Sequence, residues 1–305
     1  MTGSATGIKR LSTAKIAMVV KVCQRRKFLL FILFIALYGI PDNGFSQSSK
    51  WEEYAVQGDT LYARQDYEDA IKLYSKAISK SKLKDKAAYR TVYKRAVCYF
   101  STQQYPEALK DVDLFSTEYP NVPQASLLKA FIFRELDDDD QQLANLQAAM
   151  DSEEPSADLL KWRSLLFMKK DEYQKAKEDL QVARTFEDDA EIETFLGLCY
   201  YNLHVQDSAF ISFNRSIEID ATYVPAYLYV GSLALEEGNY ELSLQYANLA
   251  LRVEPASKEA LFYKGIALVE MHQLDEGCRC LNRAFYGGMD DAGDYLEEYC
   301  FGNDR

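Results

Sequence analysis

The stretch GDTLYARQDYEDAIKLYSKAI, residues 58–78, sets the pattern for the rest of the chain. Its apolar residues recur at intervals of three and four, which is the spacing of one face of an α-helix. Leu61 and Tyr62 mark a first helix, and Gln65 with Asp66 forms the turn after it. A second helix is marked by Ala70, Ile71, Tyr74, Ala77 and Ile78. The stretch therefore predicts two short helices joined by a tight turn.

Three columns of small residues return about every 34 residues along the chain. The first column is Ala70, Ala108, Gln142, Ala176, Ala209, Ser243 and Gly277, at intervals of 38, 34, 34, 33, 34 and 34 residues. Twelve residues earlier stand Gly58, Ala96, Ala130, Ser164, Gly197, Gly231 and Gly265. Seven residues after the first column stand Ala77, Phe115, Ala149, Ala183, Ser216, Ala250 and Ala284. A fixed period of this length indicates stacked repeats, and small residues are needed where two helices cross closely.

Two runs of the sequence carry a resemblance to a known family. The runs Gly58-x-x-x-Tyr62-x-x-x-Asp66-Tyr67-x-x-Ala70-Ile71 and Gly231-x-x-x-Leu235-x-x-Gly238-Asn239-Tyr240 resemble the tetratricopeptide repeat. The resemblance implies an all-α fold, a right-handed α-α superhelix (solenoid) of about seven helix-turn-helix units. It covers residues 47–305, with units at 51–84, 89–122, 123–156, 157–189, 190–223, 224–257 and 258–291. The third unit departs most from the motif, because Gln142 stands in a small column.

A short amphipathic segment follows the last unit. Arrays of repeats need a terminal element to cover the exposed face of the final helix pair. Tyr295, Leu296 and Tyr299 supply an apolar side, so we expect a capping helix at residues 292–301.

The amino-terminal segment has the layout of a secretory signal peptide. Lys21, Arg25, Arg26 and Lys27 precede an apolar run of 13 residues, 28–40, and the small residues Gly44 and Ser46 follow. We therefore expect residues 1–46 to be a signal peptide with a preceding extension, and the protein to be periplasmic or secreted. The alternative is an uncleaved membrane anchor at residues 28–40, although a spanning helix needs about 20 residues.

Composition and charge exclude several classes of function. Glycine (14) and proline (7) are few, which argues against a hairpin-rich all-β fold. The whole chain has 35 basic and 47 acidic residues. Removal of residues 1–46 takes away seven bases and one acid, which leaves 28 against 46, a net charge of −18. Such an acidic chain lacks the basic patch that nucleic-acid binding requires.

Few residues in the sequence are suited to catalysis or metal binding. His204 and His272 fall in helix–helix turns two units apart, so they cannot share a site. No nucleophile–base arrangement, phosphate loop or zinc motif is present. The acidic run at residues 137–140 lacks the alternating spacing of a calcium loop and is expected to be a solvated turn. We predict no enzyme activity, no cofactor and no small-molecule substrate.

The cysteines divide into two groups. Cys98 and Cys199 occupy the same place in two units and are expected in the core. The pairing of Cys278 with Cys300 resembles the ends of many exported bacterial arrays of this family, and export would permit a disulfide. Cys280 competes as a partner, and all three could instead be small buried residues.

The family resemblance implies a groove, lined by the first helix of each unit, that binds extended peptides or partner helices. The side chains expected to face it are Tyr93, Val97, Phe100, Leu127, Phe131, Leu165, Met168, Leu198, Tyr201, Leu228, Phe262 and Ile266. The alternative is that several of these residues pack within or between units. The family's basic clamp for peptide carboxylates is not formed, since only Lys94, Lys161 and Asn202 come near the pattern.

These features predict an exported, non-enzymatic scaffold or adaptor that binds a protein or peptide partner in the groove. Two alternatives remain from the sequence, a membrane-anchored assembly factor of the cell envelope and an accessory subunit of an enzyme complex. We expect no nucleic-acid partner, and membrane contact only through an uncleaved amino-terminal segment.

Overall fold

The computed structural model describes residues 49–84, 86–152 and 155–301, and throughout them the regular structure is helical, with no strand. The α-helices are α1 (Lys50–Ala63), α2 (Tyr67–Ser81), α3 (Lys86–Ser101), α4 (Tyr105–Glu118), α5 (Pro123–Glu135), α6 (Asp139–Ser152), α7 (Ala157–Lys169), α8 (Tyr173–Ala183), α9 (Ala190–Asn202), α10 (Gln206–Ile219), α11 (Val224–Glu236), α12 (Tyr240–Val253), α13 (Lys258–Glu270), α14 (Leu274–Tyr286) and α15 (Asp291–Tyr295). A π-helical turn, Leu296–Cys300, continues α15. The predicted all-α, helical-repeat fold is confirmed.

The described helices form two compact units, an N-terminal unit of residues 49–155 and a C-terminal unit of residues 156–301. In each unit the helices pack in consecutive pairs, beginning with α1 on α2 and with α7 on α8. We call each pair a repeat, its first helix the A helix and its second the B helix. The first repeat is α1–α2 and the seventh is α13–α14.

The turn between the A and B helices has the same backbone conformation in every described repeat. One residue per turn has a positive φ, between 56° and 73°: Gln65, Gln103, Asp137, Asp171, His204, Gly238 and His272. A left-handed residue at this point is a common way to end a helix. His204 and His272 therefore lie in the turns, as the sequence predicts. Of the acidic run 137–140, Asp137 and Asp138 lie in this turn as expected, whereas Asp139 and Asp140 begin α6.

The small columns lie where the A and B helices cross. Ala70 and Ala176 have no exposed surface, and Gln142, the one large residue in that column, is 2% exposed. At Gly58 an added Cβ would stand 2.6 Å from the ring of Tyr74 on the paired helix. A side chain at Gly58 would thus push the two helices apart, which is the reason for the small residue.

Two repeats also carry a buried ion pair between their helices. In the second repeat the guanidinium of Arg95 donates two hydrogen bonds, of 2.6 and 2.7 Å, to the carboxylate of Asp111. In the fourth repeat Arg163 binds Asp179 in the same way, at 2.7 and 2.6 Å. The partners are 16 residues apart in both repeats. These ion pairs were not predicted from the sequence, although Arg and Asp at one fixed separation in two repeats would have indicated them.

The carboxyl-terminal segment covers the last repeat. Leu296 is buried, and the ring of Tyr295 meets that of Phe262 edge-on at 5.5 Å. A disulfide joins Cys278 on α14 to Cys300, with their Cα atoms 5.8 Å apart. Cys280 is a buried free thiol, as are Cys98 and Cys199 in the repeat cores.

The predicted signal segment, residues 1–46, lies outside the described residues. Among the residues that are described, no helix has both the length and the apolar character needed to cross a membrane.

Candidate partner-binding face

The predicted groove residues all lie on A helices, and we call the surface around these positions the A-helix face of each unit. Seven of the twelve are buried in the structure: Val97, Leu127, Phe131, Met168, Leu198, Phe262 and Ile266. These seven side chains therefore do not line a groove as predicted. They follow the alternative, in which the residues pack within or between repeats. A rotation of the helix by one residue, about 100°, turns a side chain from the groove into the core. The apolar character of a residue does not show which of the two directions its side chain takes.

Contacts of individual residues explain this burial. Phe131 packs near Phe100, with ring centroids 6.4 Å apart, and the guanidinium of Arg134 lies 5.2 Å from the Phe131 centroid. Phe262 and Ile266 belong to the core that joins the sixth repeat, the seventh repeat and the cap. These side chains stabilise the array and are not available to a ligand.

The other five predicted residues are half-buried and reach the A-helix face. Tyr93 and Phe100 belong to the N-terminal unit, and Leu165, Tyr201 and Leu228 to the C-terminal unit. The hydroxyl of Tyr93 donates to the carbonyl oxygen of Gln124 at 3.1 Å, which links α3 to α5. Because this hydrogen bond fixes the hydroxyl end of the Tyr93 ring, the side chain loses little conformational entropy when a partner contacts it.

Two tyrosine–carboxylate pairs lie at the ends of A helices in the C-terminal unit. The Tyr201 hydroxyl contacts both carboxylate oxygens of Glu236, at 2.8 and 2.6 Å. The Tyr299 hydroxyl donates to Glu270 at 2.8 Å. Burial and the neighbouring Glu270 carboxylate raise the pKa of Tyr299 well above its usual value, so this pair stays a neutral donor with an anionic acceptor. Glu236 and Glu270 stand 34 residues apart, at the same position of successive repeats.

The three residues nearest to a carboxylate clamp are occupied by other groups. Lys94 binds Asp59 at 2.8 Å, and Asn202 donates to the carbonyl of Leu198 at 2.8 Å. Lys161 binds Asp189 at 2.9 Å and Glu191 at 3.0 Å. Burial lowers the pKa of Lys161, but these two carboxylates outweigh it and raise the pKa above its usual value.

Nothing in the described residues resembles a metal centre, because no group of three or more histidine, cysteine or acidic side chains is arranged to hold an ion. The face offers apolar contact, aromatic rings and anionic oxygens. This chemistry suits recognition of another polypeptide.

Comparisons with known proteins agree with this architecture. Residues 56–123 match the family model described as Tetratricopeptide repeat. The C-terminal part of a TPR repeat-containing protein from Cytophaga hutchinsonii is similar in structure, with a TM-score of 0.64, 19% identity, and coverage of 79% of this chain and 98% of that chain. A tetratricopeptide repeat protein from Parabacteroides merdae has a TM-score of 0.58 and 13% identity, with 81% of this chain and 97% of that one covered.

A third structure is described as YrrB, a TPR protein with an unusual peptide-binding site. It has a TM-score of 0.52 and 21% identity, with 62% of this chain and 95% of that chain covered. No curated protein is significantly similar to the chain in sequence. At these identities the structural likeness establishes the fold.

Proposed function

Because the chain is a tetratricopeptide repeat protein, a family of protein-interaction scaffolds, we propose that it is a non-enzymatic scaffold that binds a partner protein or peptide on its A-helix face. The similar protein whose description names a peptide-binding site supports a polypeptide ligand. Stacked helix pairs hold the face in a fixed shape, so the partner bears most of the ordering cost of binding.

The observation that carries this proposal is the half-buried set on the A helices of the C-terminal unit. Leu165, Tyr201 and Leu228 come from three successive repeats. Half-buried apolar and aromatic side chains on a rigid support are typical anchors for a partner. The Tyr201–Glu236 pair adds a charged acceptor that can fix the orientation of a bound chain.

We propose that this protein is exported, periplasmic or secreted, because of its amino-terminal sequence. Basic residues, the apolar run at 28–40 and the small residues Gly44 and Ser46 support export with cleavage after Ser46. Amino-terminal sequencing of the exported protein tests this. A chain that retains residues 28–40 would contradict cleavage and favour the membrane-anchored alternative.

Site-specific photo-crosslinking in cells tests the scaffold function. A photoreactive residue at Leu228 should form a crosslink with a discrete partner, and Tyr201→Asp should abolish that crosslink at unchanged helicity. The matched control is the same probe at Ile211, which lies on a B helix with 66% of its surface exposed. Equal crosslinking from positions 228 and 211, or full retention in the Tyr201→Asp variant, would contradict the proposal.

A further inference from the structure

The seventh repeat differs from the second and fourth at the position of their buried ion pairs. Arg95 and Arg163 each stand directly before the small residue of their A helix, Ala96 or Ser164, and each binds an aspartate 16 residues later. The equivalent residues of the seventh repeat are Lys264 and, 16 residues later, Cys280. The cation is kept, but the carboxylate at the position 16 residues later is replaced by a thiol, and Lys264 pairs instead with Glu276.

A cleft of about 230 Å³ opens at this place. It is formed by α12, α13 and α14 of the C-terminal unit, and its lining residues are Leu251, Leu261, Lys264, Glu276, Arg279, Cys280 and Arg283. Cys280 and Leu261 are buried, whereas the two arginines are exposed. The cleft therefore has an apolar and thiol-lined part with cations at its edge, and we call it the cationic cleft.

The charges of the cationic cleft do not balance. Lys264 forms an ion pair with Glu276 at 3.0 Å. Within the described part of the chain, neither Arg279 nor Arg283 has an acidic partner within ion-pair distance. Burial raises the pKa of the Cys280 thiol, so the thiol is neutral and adds no negative charge. Three cations thus face one anion.

This excess of positive charge runs against the character of the surrounding sequence. Residues 190–301 contain 18 acidic and six basic side chains. Three of those six bases line the one small cleft. An acidic surface elsewhere would repel an anionic segment, so the cationic cleft is the place where such a segment can be held.

We propose that the cationic cleft binds a carboxylate side chain from an acidic segment of a partner protein. The second and fourth repeats show which group the same register accepts, since an aspartate carboxylate fills it there. Guanidinium groups match carboxylates through paired, charge-assisted hydrogen bonds. Leu251 and Leu261 offer apolar surface to the methylene groups of a glutamate. The residues of the cationic cleft are different from Leu165, Tyr201 and Leu228, which carry the proposed function, so either proposal can fail alone.

Fluorescence anisotropy with a labelled, end-blocked hexaglutamate peptide tests the site on the full chain. Wild type should bind the peptide saturably, and binding should weaken as salt rises from about 0.05 to 0.5 M. Arg279→Gln combined with Arg283→Gln should weaken binding at least tenfold. The matched control combines Arg64→Gln with Arg252→Gln, two exposed arginines outside the cleft, and should leave binding within twofold.

A second variant places a carboxylate of the protein itself in the cationic cleft. Cys280→Asp restores the carboxylate that the second and fourth repeats carry, and it should weaken hexaglutamate binding at least tenfold by occupying Lys264. Absence of saturable hexaglutamate binding to wild type would overturn the proposal, and so would an equal loss in the control pair. Binding of inorganic phosphate by a protein that ignores hexaglutamate would show that the carboxylate assignment is wrong.

Discussion

The fifth and sixth repeats have a glycine at the same crossing but use it differently. An added Cβ at Gly197 would overlap the ring of Phe213 on the paired helix, and Phe213 is almost fully buried. At Gly231 the nearest atom to an added Cβ is 3.8 Å away, and the equivalent residue on the paired helix is Ala247. A small residue is therefore required in the fifth repeat and only tolerated in the sixth. The volume on the B helix determines how small the A-helix residue must be.

Four other repeats show compensating volumes at the same crossing. Glycine is paired with a large side chain in the first and seventh repeats, Gly58 with Tyr74 and Gly265 with Leu281. Alanine is paired with an aliphatic residue in the second and third, Ala96 with Val112 and Ala130 with Leu146. Each of these four crossings is thus a matched pair, and a fixed crossing is what would preserve the shape of a binding face.

Truncation of Phe213, the large residue of the fifth crossing, should have the largest effect on the free energy of unfolding. Phe213→Ala leaves a cavity at a crossing whose other side is already a glycine, so we expect a loss of about 3–5 kcal/mol in the free energy of unfolding. Urea denaturation followed by circular dichroism measures it. A loss below about 1 kcal/mol would mean that the two helices close over the gap and that the crossing is not a rigid fit.

Enlargement of the small partner in the same repeat should have an intermediate effect. Gly197→Ala places a methyl group against the Phe213 ring, and overpacking of this kind costs about 1–3 kcal/mol. The same urea titration checks this value. Unchanged or increased stability would show that the gain in helix propensity outweighs the clash.

The corresponding change in the sixth repeat should have the smallest effect and the opposite sign. The added methyl group of Gly231→Ala meets its neighbours at ordinary van der Waals distance, 3.8 Å or more, and alanine is favoured over glycine inside a helix by about 0.5–1 kcal/mol. We therefore expect a small stabilisation, measured as a rise in the thermal midpoint. A destabilisation comparable to that of Gly197→Ala would remove the difference between the two crossings.

The repeat architecture could be predicted because small residues recur about every 34 residues along the whole array. One atypical residue does not obscure this period. Gln142 in a small column did not hide the third repeat, and the structure buries it at the expected crossing. The location of His204 and His272 in turns also followed from their places in the period, whereas the left-handed conformation of these residues was seen only in the structure.

The binding face could be predicted only in part, because it depends on helix rotation. Val97 and Tyr93 are four residues apart on α3, yet one is buried and the other half-buried. Hydrophobicity marks both positions and does not distinguish them. The cationic cleft was missed for a different reason. Its identification depends on the absence of a carboxylate at Cys280, where the second and fourth repeats have Asp111 and Asp179. The structure was needed to show that these two aspartates form ion pairs.

A double-mutant cycle at the fifth crossing tests the matched-pair account most directly. The cycle compares Gly197→Ala, Phe213→Leu and the two together, and it measures the free energy of unfolding of each by urea denaturation. We predict that the double variant is more stable than the sum of the single losses implies, by at least about 1 kcal/mol, because alanine with leucine is the pair found at Ala130 and Leu146. Losses that add to within about 0.5 kcal/mol would show that the two positions are independent and would contradict the account.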